Sequence, residues 1–287
     1  MRSAASMPTG PASDQRLLGV SVVAALAGPR WWWPLQAVHQ TLSAAADDLG
    51  FLASYRQVVS NSAFTAGWVQ RLWALETPVL NPPVRAQTPA EKEPIILHVG
   101  RFFAPEAGHS KRQLELVEAF GALVRSGAVD GWTLHLVGGC DDEGRPYLER
   151  VHSAIGGLPV ELHPNAGGDE LRSLYGRVSI YWHATGLGED PDAHPERMEH
   201  FGIATVEAMS AGAVPVVIGV AGQLEVLDDG VEGYHFATLE ELAARTAELV
   251  GDPERRARMG TAARQRAEQY GERAFAAKLA ALVADRG

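Results

Sequence analysis

Residues 95–124 read IILHVGRFFAPEAGHSKRQLELVEAFGALV, and how this stretch divides decides the fold. Ile95 to Val99 form an apolar run without regular polar alternation. A loop carrying glycine, proline and charge follows, then a run with Leu114, Val117, Phe120 and Val124 at helical spacing. A strand apolar on nearly every residue belongs to a sheet covered on both faces, and the helical run supplies part of the cover. The alternation continues through WTLHLV (132–137), PVELH (159–163), VSIYW (178–182) and VPVVI (214–218) as strands. LEELAARTAELV (239–250) is a helix with Leu239, Leu242, Thr246 and Leu249 on one stripe. This β/α/β rhythm predicts an α/β fold, a parallel sheet with helices on both faces, whose ligands bind outside the carboxyl ends of the strands.

The whole chain has 287 residues, 46% of them hydrophobic and 21% charged, the composition of a globular protein. Its formal charge of -10 argues against non-specific nucleic-acid binding, because an acidic surface repels a phosphate backbone. The single cysteine, Cys140, excludes an internal disulfide framework and a cysteine-rich zinc site, and it agrees with a cytoplasmic location. Met1–Gln15, rich in Ser, Ala, Pro and Gly, is expected to be a floppy start. Leu17–Gly28 (LLGVSVVAALAG) is too short to span a bilayer. With Asp14 and Gln15 interrupting the basic residues before it, it reads as a buried strand or helix rather than a signal peptide. In RQVVSNSAFTAGWVQRLW (56–73), Ser62 offers an N-cap to a helix on which Phe64, Trp68 and Leu72 share a face. The five prolines of TPVLNPPVRAQTPAEKEP (77–94) predict an extended crossing linker. The expected organisation is an N-terminal portion over 16–85, a linker over 86–93 and a ligand-binding domain over 94–287.

Two clusters at predicted strand ends carry the chemistry. Gly100 allows a close turn, Arg101 emerges at the end of the first strand, and Lys111 stands at the start of the next helix, so two cations converge where a diphosphate would be held. In EHFGIATVEAMSAGAVPVVIG (199–219), Gly202 lies where a helix begins, leaving the N–H groups of Gly202 and Ile203 free for a phosphate. Glu199 and Glu207 lie either side of it, and carboxylates there suit the paired hydroxyls of a nucleoside diphosphate sugar. His183, Asp190, Asp192, His194, Glu196 and His200 in the segment HATGLGEDPDAHPERMEHFG (183–202) suggest a metal site only superficially. The helical metal-binding spacings are absent and Pro191 and Pro195 break any regular face, so the segment reads as a flap over donor or acceptor. Trp31, Trp32 and Trp33 could stack an acceptor sugar or rest on a membrane surface, but adjacent aromatics more often mark packing, and no site is placed there.

From about Tyr55 onward the chain resembles the retaining family 4 glycosyltransferases of the two-domain GT-B fold. The resemblance rests on VSNSAFTAGWV (59–69), VGR (99–101) with Lys111 after it, the Glu199-to-Glu207 spacing, AMSAGAVPVV (208–217) and AGQLEVLDDGVEGY (221–234), in that order. It implies a Rossmann-like GT-B C-terminal domain that binds the nucleotide-sugar donor, with an incomplete N-terminal α/β portion. It further implies that Arg101 and Lys111 hold the diphosphate, that Glu199 lies beside the transferred sugar, and that Glu207 binds the ribose hydroxyls. Backbone groups of Phe201, Gly202 and Ile203 would contact sugar and phosphate. The nucleobase would lie near Gly138, Gly139 and the segment His163–Ala166, which includes Asn165 and Ala166. No metal or other cofactor is required, since protein cations and a helix N-terminus supply the positive charge. A nucleotide-sugar donor and a glycan, lipid or small-molecule acceptor are the implied partners, with peripheral membrane contact left open. A complete acceptor domain needs about five or six β/α units of roughly 30 residues, whereas 93 residues precede Pro94. The expected activity, a hexosyltransferase, therefore has three alternatives: an incomplete reading frame, a half-enzyme completed by a partner chain, or a non-catalytic nucleotide-sugar-binding module. A nucleotide-sugar epimerase is disfavoured by the same motif set, and a dehydrogenase by the absence of G-x-G-x-x-G after a strand.

Overall fold

A computed structural model describes residues 49–108 and 110–284. The expectations for Met1–Gln15, Leu17–Gly28 and Trp31–Trp33 lie outside the described residues. The chain divides into two compact units, Met1–Asn81 and Pro82–Gly287.

In the first unit, helix α1 (Ala63–Trp73) begins where Ser62 was expected to cap it: the Ser62 hydroxyl accepts the Thr65 N–H at 3.0 Å. Its buried face is Thr65, Trp68 and Val69, with Phe64 and Leu72 only half-buried, so the apolar stripe is rotated by about one residue from the expected one. A bridge between Ser60 and Val79, and the Asn81 amide donating to Asn61 O at 3.0 Å, lay the start of the proline-rich stretch alongside residues 60–61.

The second unit is built on a six-stranded, all-parallel sheet: β1 (Ile95–Val99), β2 (Thr133–Gly138), β3 (Val160–Pro164), β4 (Ile180–His183), β5 (Val214–Ile218) and β6 (Tyr234–Phe236). Their spatial order is β3-β2-β1-β4-β5-β6. The helices are α2 (Gln113–Arg125), α3 (Arg145–Ile155), α4 (Gly168–Arg177), α5 (Ile203–Ser210), α6 (Gln223–Val226), α7 (Leu239–Gly251), α8 (Pro253–Ala267) and α9 (Glu272–Ala284). Side chains alternate across the sheet. Ile96, Leu134, Leu136, Ile180, Trp182, Val214 and Val216 share a cluster with Leu116 and Phe120 of α2, Val151 of α3 and Leu242 and Leu249 of α7. Ile95, Leu97, Val137 and Tyr181 point the other way, against Leu174 and Tyr175 of α4 and Ala208 of α5. Val217 joins them on that face, packing with Val206 and Met209 of α5 and Ala263 and Ala267 of α8. Burial on both faces is why the strands read as continuous apolar runs rather than alternating ones.

Within the second unit the structure differs from the sequence reading at three further places. The fourth strand starts at Ile180 rather than Val178, because the Val178 N–H still closes α4 on Leu174 O and Ser179 makes the first bond to Ile95 O. On α2 the buried stripe centres on Leu116, Phe120 and Leu123, leaving Leu114 and Val124 partly covered. Strand β6 was not anticipated. On α7 the expected Leu242, Thr246 and Leu249 are buried, and the Thr246 hydroxyl accepts the Trp182 indole N–H at 3.0 Å, tying helix to sheet through a polar contact inside the core.

Candidate functional site

The strand order reverses between β1 and β4, which opens a crevice at their carboxyl ends where the loops part to opposite sides. The backbones there are packed as closely as glycine allows: a Cβ on Gly138 would sit 2.0 Å from Gly100 O. Phe102 N–H is bonded to Gly139 O, so the loops after β1 and β2 are sewn together. Gly100 likewise leaves no room for a side chain, because a Cβ there would lie 2.7 Å from Lys111 Cγ. The Lys111 stem lies over Gly100 for this reason, two residues before α2.

From that position the Lys111 ammonium pairs with Glu199 Oε2 at 2.8 Å, with the lysine side chain 14% and the glutamate 22% exposed. His183, the last residue of β4, approaches the same oxygen through Nε2 at 3.2 Å. Burial pushes the Glu199 carboxyl up, but the Lys111 charge and the His183 hydrogen bond outweigh it and hold Glu199 well below the ordinary carboxylate range. Burial lowers the His183 pKa, so the neutral ring donates its Nε2–H to the carboxylate and leaves Nδ1 bare. His98 of β1 is neutral for the same reason: burial and the neighbouring His183 depress it to about 3, while its Nδ1–H donates to Trp182 O at 3.0 Å.

Glu207, about one turn along α5, has a different environment. Its carboxylate accepts the Tyr175 phenol at 3.0 Å and the Gln87 amide at 3.3 Å, and burial raises its pKa. Between these two carboxylates lies Tyr181 of β4, whose phenol is held far above its usual range by burial and by both acidic charges. Gly202 caps α5 in the left-handed region, φ 102°, with no side-chain cap, so the first N–H groups of the helix are left to an external acceptor. Phe201 is buried against Tyr270, at 5.3 Å between ring centroids, so only its backbone faces the crevice. Ile203 is 48% exposed.

Of the expected residues, Lys111 and Glu199 are in direct contact, and Gly100, Gly138 and Gly139 lie beside them at the strand ends. Arg101 is exposed and lies along Gly139, with its guanidinium 4.5 Å from the Phe103 ring centre rather than on a carboxylate. Asn165, in the left-handed region at φ 57°, uses its amide locally: Oδ1 accepts Cys140 N–H and Nδ2 donates to Cys140 O, both at 2.9 Å. Ala166 is partly buried against the α4 side of the sheet. The 183–202 segment, read as a flap, is anchored: Glu189 is gripped by Arg112 and by Arg197, and Met198, Ala184 and Thr185 are buried.

From the sequence, His183 stood out only within the rejected metal set, and Tyr175, Tyr181, Gln87 and Gln223 did not stand out at all. A histidine closing a buried apolar strand was the one available signal. Gln223 is fully buried, with neither amide atom partnered among the described residues, and it faces Gly202, where a Cβ would come within 2.4 Å of its Nε2. With His98 Nε2 and His183 Nδ1, also unpartnered among the described residues, it concentrates unsatisfied buried polar atoms around this crevice.

Residues 83–266 match the family model described as glycosyl transferases group 1. The chain is 25% identical over 264 residues to the sulfoquinovosyl transferase SQD2 of Arabidopsis thaliana, covering 86% of this chain and 46% of that protein. It is 27% identical over 251 residues to the human GDP-Man:Man(3)GlcNAc(2)-PP-Dol alpha-1,2-mannosyltransferase, covering 79% and 48%. The chain thus spans about half the length of the curated relatives it matches. Among solved structures it shares the fold of a Staphylococcus aureus TarM variant crystallised with UDP, at TM-score 0.65 and 16% identity, covering 80% of this chain and 44% of that one. Anabaena HepE in complex with UDP and glucose superposes at TM-score 0.63 and 18% identity, covering 80% and 63%. The parallel sheet with its strand order and two helical layers is the Rossmann-like architecture of a GT-B domain, and the chain belongs to the glycosyl transferases group 1 family.

Proposed function

We propose that the crevice at the ends of β1 and β4 binds a nucleoside diphosphate sugar, and that this chain is the donor-binding part of a retaining, family 4 hexosyltransferase. The observation that carries the reading is the Lys111–Glu199–His183 contact beside the uncapped N-terminus of α5. It supplies a cation, a carboxylate kept ionised and helix N–H donors within one crevice. An entering diphosphate competes with Glu199 for the Lys111 ammonium, while His183 keeps the carboxylate in place for a sugar hydroxyl. Arg101, exposed at the rim, closes on the phosphates from the other side and, with Lys111, neutralises the leaving group. Glu207 takes the ribose hydroxyls, Gly202 and Ile203 offer backbone N–H groups, and the base lies near Gly138, Gly139, Asn165 and Ala166. These charges make a divalent metal unnecessary for transfer. The acceptor is a glycan, lipid or small molecule. The human relative's name includes GDP-Man, and two structural neighbours were crystallised with UDP, so both nucleotides belong in the test.

The experiment is titration of UDP, GDP and their sugars into the protein, followed by an assay for nucleoside diphosphate release. A charge-assisted contact contributes about 1.5–3 kcal/mol, so Lys111→Ala should weaken nucleotide binding roughly ten- to hundredfold. Glu199→Ala should abolish release while sparing much of the nucleotide affinity. Absence of binding to every nucleotide tested would sink the proposal. A second reading is a donor-binding module or half-enzyme that needs a partner chain. It expects the same binding without release.

A further inference from the structure

A second cluster lies on the other arm of the sheet, at its edge. His135 of β2 and Glu161 of β3 are register partners, and His163 is two residues along β3, so all three side chains emerge on one face. His135 Nδ1 and His163 Nε2 face each other at 3.0 Å, and Glu161 Oε2 lies 3.7 Å from each. The outward nitrogens are already committed. His163 Nδ1 is 2.7 Å from the Glu170 carboxylate, which can only accept when ionised, so the proton sits on Nδ1 and the Nε2 lone pair points inward. His135 Nε2 is 3.1 Å from the Thr133 hydroxyl, which can take its proton and leave the Nδ1 lone pair inward as well. Two lone pairs and a carboxylate oxygen then converge with no donor among them.

We propose that His135, Glu161 and His163 bind one divalent transition-metal ion, of the Zn2+ type, which clasps the edge strand β3 to β2. Two imidazoles and a carboxylate are borderline ligands that suit Zn2+ over Mg2+ or Ca2+. Bonds of about 2.0–2.2 Å in a tetrahedron put ligand atoms about 3.3 Å apart. The observed 3.0 and 3.7 Å separations reach that with shifts of a few tenths of an ångström. Glu170 then serves as the outer carboxylate that fixes the His163 ring, an arrangement typical of metal-bound histidine. Glu161 is 58% exposed, which gives the ion a way in and leaves a fourth position to solvent. His163 lies two residues before Asn165, so the cluster adjoins the base end of the proposed donor crevice, but metal binding by it does not depend on that reading.

The test is calorimetric titration of Zn2+ into chelator-treated full-length chain, with Mg2+ in parallel. One Zn2+ should bind per chain and Mg2+ should not. At a hundredfold excess over its Kd, Zn2+ should raise the melting temperature by about 5 °C or more. Glu161→Gln, on an exposed side chain, and His163→Ala should each weaken Zn2+ binding about tenfold or more. Glu170→Ala should weaken it by a similar factor through loss of ring orientation. His152→Ala combined with His194→Ala, which removes imidazoles elsewhere, should leave it unchanged. Co2+ in place of Zn2+ should give the intense visible bands of a tetrahedral site. No Zn2+ binding by the unaltered chain, equal binding of Mg2+, or affinity undiminished in both Glu161→Gln and His163→Ala would each overturn the assignment. In the first case, a shared proton between the two rings accounts for the 3.0 Å contact.

Discussion

Replacing Lys111 by methionine keeps most of the stem that packs over Gly100 and removes only the charge that faces Glu199. The carboxylate would be left with the His183 N–H as its remaining partner in this contact and with the burial that pushes its pKa up. Breaking a fully buried pair from one side costs about 3–5 kcal/mol. Here the partners are 14% and 22% exposed, and solvent screening reduces the expected loss to about 1.5–3 kcal/mol. The pH dependence identifies the cause. In the unaltered protein the folded Glu199 pKa lies below its unfolded value, so the group adds stability above about pH 4.3 that is lost as pH falls through the folded pKa. In Lys111→Met burial dominates and raises the folded pKa above the unfolded one, so the ionised group costs stability near neutrality and the cost disappears on acidification. The gap between the two proteins should be largest near pH 7 and should close as pH falls through the carboxylate range. Urea unfolding followed by circular dichroism at pH 7, 6, 5, 4 and 3 measures it. A double-mutant cycle with Glu199→Gln should return a coupling of about the same 1.5–3 kcal/mol. A gap that stays constant from pH 7 to pH 3, or a coupling near zero, would refute the electrostatic account.

Gly202→Ala puts a Cβ at φ 102° and within 2.4 Å of Gln223 Nε2, so it should cost about 1–3 kcal/mol, read as a lower melting temperature, and weaken nucleotide binding in the same preparation. Thr246→Val deletes the acceptor of the buried Trp182 indole and should cost about 1–3 kcal/mol in urea unfolding, whereas Thr246→Ser keeps the acceptor and should cost about 1 kcal/mol. If the proposed function holds, nucleotide affinity should fall on acidification beginning above the ordinary carboxylate range, because the proposed ribose contact needs an ionised Glu207 and burial raises its pKa. Calorimetry across pH should show that dependence flattened in Glu207→Gln.

The sheet was legible because its strands are buried on both faces and therefore announce themselves as apolar runs, as Ile95–Val99 and Val214–Ile218 do. Strand β6 was not, since Tyr234–Phe236 is three residues long and has His235 in the middle. Helix positions were legible to within a residue or so, but which face was buried on α1 and α2 depended on how each helix lies against its neighbours, and spacing alone leaves that rotation free. At the site, Lys111, Glu199 and Gly202 stand out in sequence because two opposite charges and a glycine fall where strands end and helices begin, the places where an anion can be held. Their partners do not. Tyr175 and Tyr181 read as core aromatics, and Gln87 reads as one polar residue in a proline-rich stretch; only the fold shows that they meet Glu207 or lie near it.

The two glutamates show most clearly what spacing cannot tell. Glu199 and Glu207 are the same residue type eight positions apart, yet one pKa is driven down and the other up. The difference comes from residues far away in sequence: Lys111 lies 88 positions from Glu199, whereas Glu207 is met by the neutral donors Tyr175 and Gln87. This bears on chemistry as well as stability. A carboxyl held well below its ordinary pKa carries no proton to give at neutral pH, so Glu199 is suited to accept hydroxyl hydrogens or stabilise positive charge, and unsuited to act as a general acid. Protonation of the leaving group is not available from it, and under the proposed function the burden of stabilising a departing diphosphate falls on Lys111, Arg101 and the N–H groups at the start of α5.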